Sequence, residues 1–166
     1  MEKIILIAAI GKNNELGKNN NLIWHFKGDM KFFKEHTINH PVIMGYNTFL
    51  SLPKLLKDRE NIILTHKNVK INGAIVYNDI ESLMKYINSY DGSVYIIGGA
   101  SIYNLFISIA DILLLTEIDC EDVEADSYFP AFVKTNFFKE ELGDNEENGI
   151  KYNHVKYVRK KGDKYE

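Results

Sequence analysis

Five short, almost unbroken apolar runs constrain this chain most: Ile4–Ile10 (IILIAAI), Pro41–Gly45 (PVIMG), residues 61–65 (NIILT), 93–97 (SVYII) and 111–118 (DILLLTEI). Each has the length of a strand and none alternates, so each is expected to be buried on both faces. Helix-like patterns separate them. Helices are expected from about residue 29 to 37, over 47–52 before Pro53, over 79–88 and over 100–108. In the third, Asp79 is placed to cap and Ile80, Leu83, Met84 and Ile87 form an apolar stripe. Residues 74–77 read as a further short strand. The alternating tail, 137–142 and 152–159, reads as a hairpin closed by an acidic loop over 143–149. Strands alternating with helices imply an α/β fold: one domain over residues 1–166, with a mainly parallel central sheet, helices on both faces and a C-terminal antiparallel hairpin. Ligands of such sheets bind at the carboxyl ends of the strands.

Composition excludes several classes of function. The net charge is −3, which gives no basic surface for nucleic acid or an anionic membrane. Cys120 is the only cysteine, so no intrachain disulfide is possible. The five histidines lack metal-ligand spacing, and no metal site is expected. The seven-residue run at Ile4–Ile10 is too short to span a membrane and no signal-peptide cleavage pattern follows it, so a cytoplasmic protein is expected.

The segment from Leu22 to Lys34 (LIWHFKGDMKFFK) places one carboxylate, Asp29, among large apolar side chains. If a helix begins there, Phe32 and Phe33 lie over the same face. An acid in such surroundings is costly to ionise and is suited to holding or delivering a proton. Asp before a helical pattern is also a common N-cap, and both readings stand. The polar stretch 11–21, with two glycines and five asparagines, reads as a functional loop ending beside Trp24. Trp24 itself could be simple core or could hold a water through its indole N–H.

Two strand–glycine–helix junctions follow, Gly98-Gly99-Ala100 and Gly45-Tyr46-Asn47-Thr48, with Thr65-His66-Lys67 ending a third strand. Glycine permits close backbone approach, and the start of a helix offers free N–H groups to a phosphate. A tight turn with no ligand would read the same way. Arg59, one of only two arginines, is either a solvated charge or a planar fork for a carboxylate.

Taken in order, IAAI, LG-x4-LIWH, DMKFFKEHT, PVIMG-x-x-TF, R-x-NIILT, IIGGASIY and LLLTEID to D-S-Y-F-P resemble the bacterial-type dihydrofolate reductases from Ile4 to about Pro130. The resemblance implies NADPH-dependent hydride transfer to C6 of 7,8-dihydrofolate with protonation of N5. The product is tetrahydrofolate for one-carbon metabolism, and the site is of the kind that antifolates target. It implies that Asp29 binds the pterin N3 and 2-amino group, that Thr116 hydrogen-bonds this carboxylate, that Trp24 fixes a water and that Leu22 lies in a lid closing over the nicotinamide. Ile7, Ala8 and Ile97 would contact pterin and nicotinamide. Phe33, Leu52 and Leu56 would form an apolar wall, and Arg59 would bind the glutamate α-carboxylate. Around the coenzyme it places Ala9, Leu16 and Gly17; Gly45, Tyr46, Asn47 and Thr48; Thr65, His66 and Lys67; and Gly98, Gly99, Ala100, Ser101, Ile102 and Tyr103. A cis peptide is expected between the two glycines, and a monomer without nucleic-acid or membrane partners.

The chain departs from that family where Tyr46 and Ser101 stand in place of basic residues that help hold NADPH. Tyr46 is then expected to stack on adenine, with His66 or Lys67 meeting the 2′-phosphate, assisted by Thr65. Ile23 and Lys27 replace prolines. Asp122 reads as an insertion before Asp126, which in relatives braces the lid. A pterin or flavin-precursor reductase, or a nucleotide-binding module without catalysis, are the competing readings.

Overall fold

The apolar runs become neighbours in one sheet. The computed structural model describes residues 2–161. In chain order the strands are β1 (Ile4–Ile10), β2 (Glu15–Lys18), β3 (Asn21–Leu22), β4 (Pro41–Gly45), β5 (Glu60–Leu64), β6 (Ile75–Tyr77), β7 (Val94–Gly98), β8 (Ile112–Ile118), β9 (Ser127–Tyr128), β10 (Phe137–Glu147) and β11 (Ile150–Arg159). The helices are α1 (Lys27–Thr37), α2 (Tyr46–Ser51), α3 (Ile80–Ser89) and α4 (Ala100–Phe106). Eight strands form the main sheet in the order β10-β11-β8-β1-β7-β4-β5-β6. Pairing is parallel from β8 through β6, and antiparallel where β11 joins β8 and β10.

The non-alternating runs are explained by two cores, one on each face of the sheet. Leu6, Ile43, Ile62, Ile96, Leu113 and Leu115 face α3 and α4, which contribute Leu83, Ile87, Ile102, Tyr103 and Phe106. The intervening residues, Ile5, Ile7, Val42, Met44, Ile63, Ile112 and Leu114, face the opposite way, where Phe32 and Phe33 of α1 pack with Phe49, Leu52 and Leu56. Each fully buried Leu or Ile contributes roughly 1.5–3 kcal/mol. A third cluster, Phe26, Ile118 and Tyr152, lies beneath the start of α1 with Trp24 and Ala9 against it. No helix among the described residues is long and apolar enough to cross a membrane.

Two sequence expectations require correction. The segment 11–21 is not a continuous loop: β2 and β3 lie within it and pair with each other and with β9 in a separate three-stranded sheet. Its partner strand is over 100 residues away in sequence, beyond the reach of local pattern. The acidic stretch 143–149 is likewise mostly strand. β10 runs to Glu147, and Asn148-Gly149 makes the whole turn with φ of 54° and 76°. Two consecutive left-handed residues match the right-handed twist of a hairpin, and Asn-Gly is the pair that accepts them.

Candidate active site

α1 begins two residues before Asp29, and this settles the role of the acid locally. The N-cap position is Phe26, which supplies no side-chain cap. Asp29 sits inside the first turn, so the reading of Asp29 as N-cap is overturned. The cap comes from elsewhere. The carboxylate of Glu147, at the end of β10, accepts the backbone N–H of Lys27 (2.9 Å) and of Gly28 (2.9 Å) and the phenol of Tyr152. Freed from capping, Asp29 turns to the sheet. The Thr116 hydroxyl donates to its Oδ1, and His154 Nε2 lies 3.2 Å from the same oxygen. Asp29 is therefore not a lone acid in an apolar cleft.

Strand register explains the meeting. Ala9 of β1, Thr116 of β8 and His154 of β11 are directly paired neighbours in a row across three strands. Thr116 and His154 are buried, and Asp29 keeps 22 % of its side-chain surface open. The acid is thus held by the protein and still reachable. Beneath it, the Tyr103 hydroxyl donates to the Ile7 carbonyl at 2.6 Å and ties α4 to β1. Burial first, and the Asp29 charge second, push the Tyr103 phenol far above its usual range, so it stays protonated.

Arg59 is placed by the same helix. Its Nη1 donates to Thr37 Oγ1 (3.1 Å), which in turn donates to the Phe33 carbonyl (2.8 Å), and its Nε donates to the Lys57 carbonyl (2.9 Å). Burial lowers its pKa, with Asp58 opposing, yet a guanidinium remains charged in proteins. Asp29 and Arg59 therefore mark the two ends of α1, and Phe33, Leu52 and Leu56 form one apolar group on that side of the sheet. A ligand with a hydrogen-bonding ring at one end, an apolar middle and a carboxylate at the other would match this order.

The glycine junctions also come together. Gly45 begins α2 and Gly99 begins α4, and neither helix start carries a side-chain cap. A methyl group at Gly99 would lie 3.6 Å from the Thr48 hydroxyl, and one at Gly45 would meet Ile102 at 3.0 Å, so the two junctions adjoin. The Gly98-Gly99 peptide is cis. At the end of β5, Asn78 bonds the carbonyls of Thr65 (2.7 Å) and Lys67 (3.0 Å), fixing a turn that leaves His66 and Lys67 exposed. Lys67 Nζ stands 5.7 Å from the centre of the Tyr46 ring. Adjoining uncapped helix starts, glycines that admit close approach, and an exposed cation beside an aromatic ring fit a phosphorylated dinucleotide. Asn47 and Ser101 are exposed and Ala100 is half-buried near these helix starts, whereas Leu16 and Ile102 turn their side chains into the core.

Leu22 is 57 % exposed on β3, at the edge of the small sheet. That sheet is tethered by acids. Buried Glu15 accepts the backbone N–H of Asn13 (2.7 Å) and of Asp122 (2.7 Å), and Asp126 accepts that of Asn19 (2.9 Å). A methyl group at Gly11 would press on the Trp24 ring at 2.6 Å, so the start of this segment lies against the tryptophan. Ala8 and Ile97 lie near the ends of β1 and β7, next to the row bearing Thr116.

Sequence reasoning missed His154, Glu147 and Glu15. His154 is the one histidine in the alternating tail, a faint signal, and only register across β8 brings it to Asp29. Glu147 was hidden in what read as an acidic loop, and Glu15 in what read as a polar one.

The dihydrofolate reductase family model matches residues 3–159. The dihydrofolate reductase of Neisseria meningitidis serogroup B is 36% identical over 163 residues, covering 96% of this chain and 99% of the relative. That of Bacillus subtilis is 33% identical over 165 residues, covering 97% of each. Among solved structures, dihydrofolate reductase from Enterococcus faecalis complexed with NADP(H) and RAB-propyl aligns with a TM-score of 0.84 at 27% identity, covering 95% of this chain and 96% of that one.

Proposed function

The chain belongs to the dihydrofolate reductase family, and from that premise we propose how its own residues carry out NADPH-dependent reduction of 7,8-dihydrofolate to tetrahydrofolate. The single observation that carries the assignment of roles is the Thr116 hydroxyl donating to Asp29 at the carboxyl end of the parallel sheet.

Asp29 accepts from the pterin N3–H and 2-amino group. Its negative charge favours the protonated pterin, and this supplies the proton that N5 must gain. Thr116 keeps the carboxylate oriented. Ile7, Ala8 and Ile97 wall the ring, while Phe33, Leu52 and Leu56 pack along the middle of the substrate. Arg59 takes the glutamate α-carboxylate as a planar, charge-assisted pair. When bound, NADPH supplies a hydride from its nicotinamide C4 to pterin C6. Gly45, Thr48, Gly98 and Gly99 hold the coenzyme's phosphates with backbone groups. Thr65, His66 and Lys67 hold its 2′-phosphate and Tyr46 its adenine, taking over from the basic residues absent at Tyr46 and Ser101. Ala9, Leu16 and Gly17 contribute backbone along the nicotinamide side. Leu22 and Trp24 close the cleft against bulk water, which would otherwise screen the acid.

The same reading has residues 1–166 acting as one domain, a monomer in the cytoplasm with no nucleic-acid partner at a net charge of −3. One assay tests the roles: fall in absorbance at the nicotinamide band with purified protein, run with NADPH or NADH and with dihydrofolate or a pterin lacking glutamate. Turnover with NADPH and dihydrofolate is expected. None would reject the reading, and equal rates with both coenzymes would remove the 2′-phosphate role of residues 65–67.

A further inference from the structure

Asp29 has a buried polar neighbour, His154, that contacts neither the folate tail nor the coenzyme junctions. His154 Nε2 lies 3.2 Å from Asp29 Oδ1, and the imidazole is buried. Its plane is fixed by stacking on Phe32, with ring centres 3.8 Å apart and planes 8° from parallel, and Tyr152 meets it edge-on at 5.6 Å. An ionised carboxylate can only accept, so Nε2 must carry the hydrogen. Thr116 donates to the same oxygen, and no side-chain donor among the described residues reaches Oδ2. Two donors from adjacent strands, arriving at one oxygen of a side chain with only two torsions, leave the carboxylate a single orientation.

We infer that His154 is a positioning residue for the substrate: its Nε2–H, with the Thr116 hydroxyl, locks the rotation of the Asp29 carboxylate so that the edge carrying Oδ2 is presented to the pterin. This rests on the folate-reductase reading, since it assigns the ligand that meets that edge. The other groups around the pair leave this donor as its specific partner. Tyr103 and Tyr152 are phenols held protonated by burial, the latter also by Glu147. On the far side of Phe32, burial lowers the His36 pKa, with Glu35 opposing and His154 and Lys156 acting in the same direction as burial. The stack on Phe32 supplies the rigidity, because a ring clamped face to face cannot swing Nε2 away.

Two variants separate donation from packing. His154→Phe keeps a flat ring on Phe32 and removes the donor. His154→Gln keeps an N–H close to the position of Nε2 and removes the ring. Loss of one hydrogen bond to a charged group is expected to raise KM for dihydrofolate about tenfold in His154→Phe, with KM for NADPH nearly unchanged. His154→Gln is expected to recover most of that loss. In nitrogen-15 NMR of the wild-type protein, His154 Nε2 is expected to be the protonated ring nitrogen, with a signal that moves on Asp29→Asn. An unchanged dihydrofolate KM in His154→Phe, equal rises for both ligands, a Gln variant no better than Phe, or a bare Nε2 would each overturn the inference. The NMR measurement needs no folded variant at position 154. Absence of turnover by the wild-type protein rejects the functional reading and the inference with it, whereas an active wild type with an unaffected Phe variant rejects the inference alone.

Discussion

The backbone N–H of Gly28 donates to Oε2 of Glu147 at 2.9 Å, across 119 residues of sequence. The last residue of β10 thus caps the helix that carries Asp29. The Asn148-Gly149 turn positions the cap, and β11, which carries His154, leads directly out of it. The hairpin therefore supplies both the anchor of α1 and one donor to the acid on α1.

Glu147→Ala is expected to lower the thermal midpoint at neutral pH. The Tyr152 phenol, then the Gly28 and Lys27 N–H groups, hold the Glu147 carboxyl below its usual value of 4.5, with desolvation opposing. A lowered folded-state pKa gives stability that is complete above 4.5 and lost as pH falls through the folded value. Melting curves should therefore show a gap between wild type and variant at neutral pH that closes under acid conditions. A gap independent of pH would mean that the cap does not act through its charge.

Asp29→Asn is expected to leave the fold intact and lower turnover by about 10² or more. The amide keeps shape and some hydrogen bonding but holds no charge beside the pterin. Partial recovery is expected at acid pH, where the substrate carries its own proton. Steady-state rates across pH, with circular dichroism as a folding control, check this; rates near wild type would return Asp29 to a structural role.

Arg59→Leu is expected to raise KM for dihydrofolate roughly tenfold to a hundredfold, the worth of a charge-assisted pair. A pterin lacking glutamate has no carboxylate to lose and should be unaffected. Equal losses for both ligands would show that Arg59 merely braces Thr37.

Glu15→Ala removes the buried carboxylate that ties together the backbone N–H groups of Asn13 and Asp122. Each hydrogen bond lost contributes about 0.5–1.5 kcal/mol. The expected outcome is faster proteolytic cleavage within residues 11–22 and slower turnover with the main sheet unchanged. Wild-type protease resistance would count against the tether.

Gly149→Ala tests the turn alone. Gly149 has φ of +76° and nothing within 4 Å of where a Cβ would stand, so any cost is conformational. Urea unfolding should show a loss of about 1 kcal/mol. No change would mean that the hairpin re-forms its turn at little cost.

Local periodicity determined much of this protein. The family resemblance, and not periodicity, assigned Asp29, Thr116 and Arg59 to one ligand, whereas the five apolar runs are β1, β4, β5, β7 and β8 within a residue or two and Asp79 caps α3 as its position indicated. These follow from neighbours in the chain, where apolar spacing and turn chemistry act over a few residues. Tertiary structure alone decided what those residues touch. Glu15 meets Asp122 across 107 residues, and His154 meets Asp29 across 125. Such contacts depend on the register between strands far apart in sequence, and a shift of one residue in β11 would turn His154 to the opposite face of the sheet. Burial and packing fix that register, so the partners of the acid could be read only once the sheet was assembled.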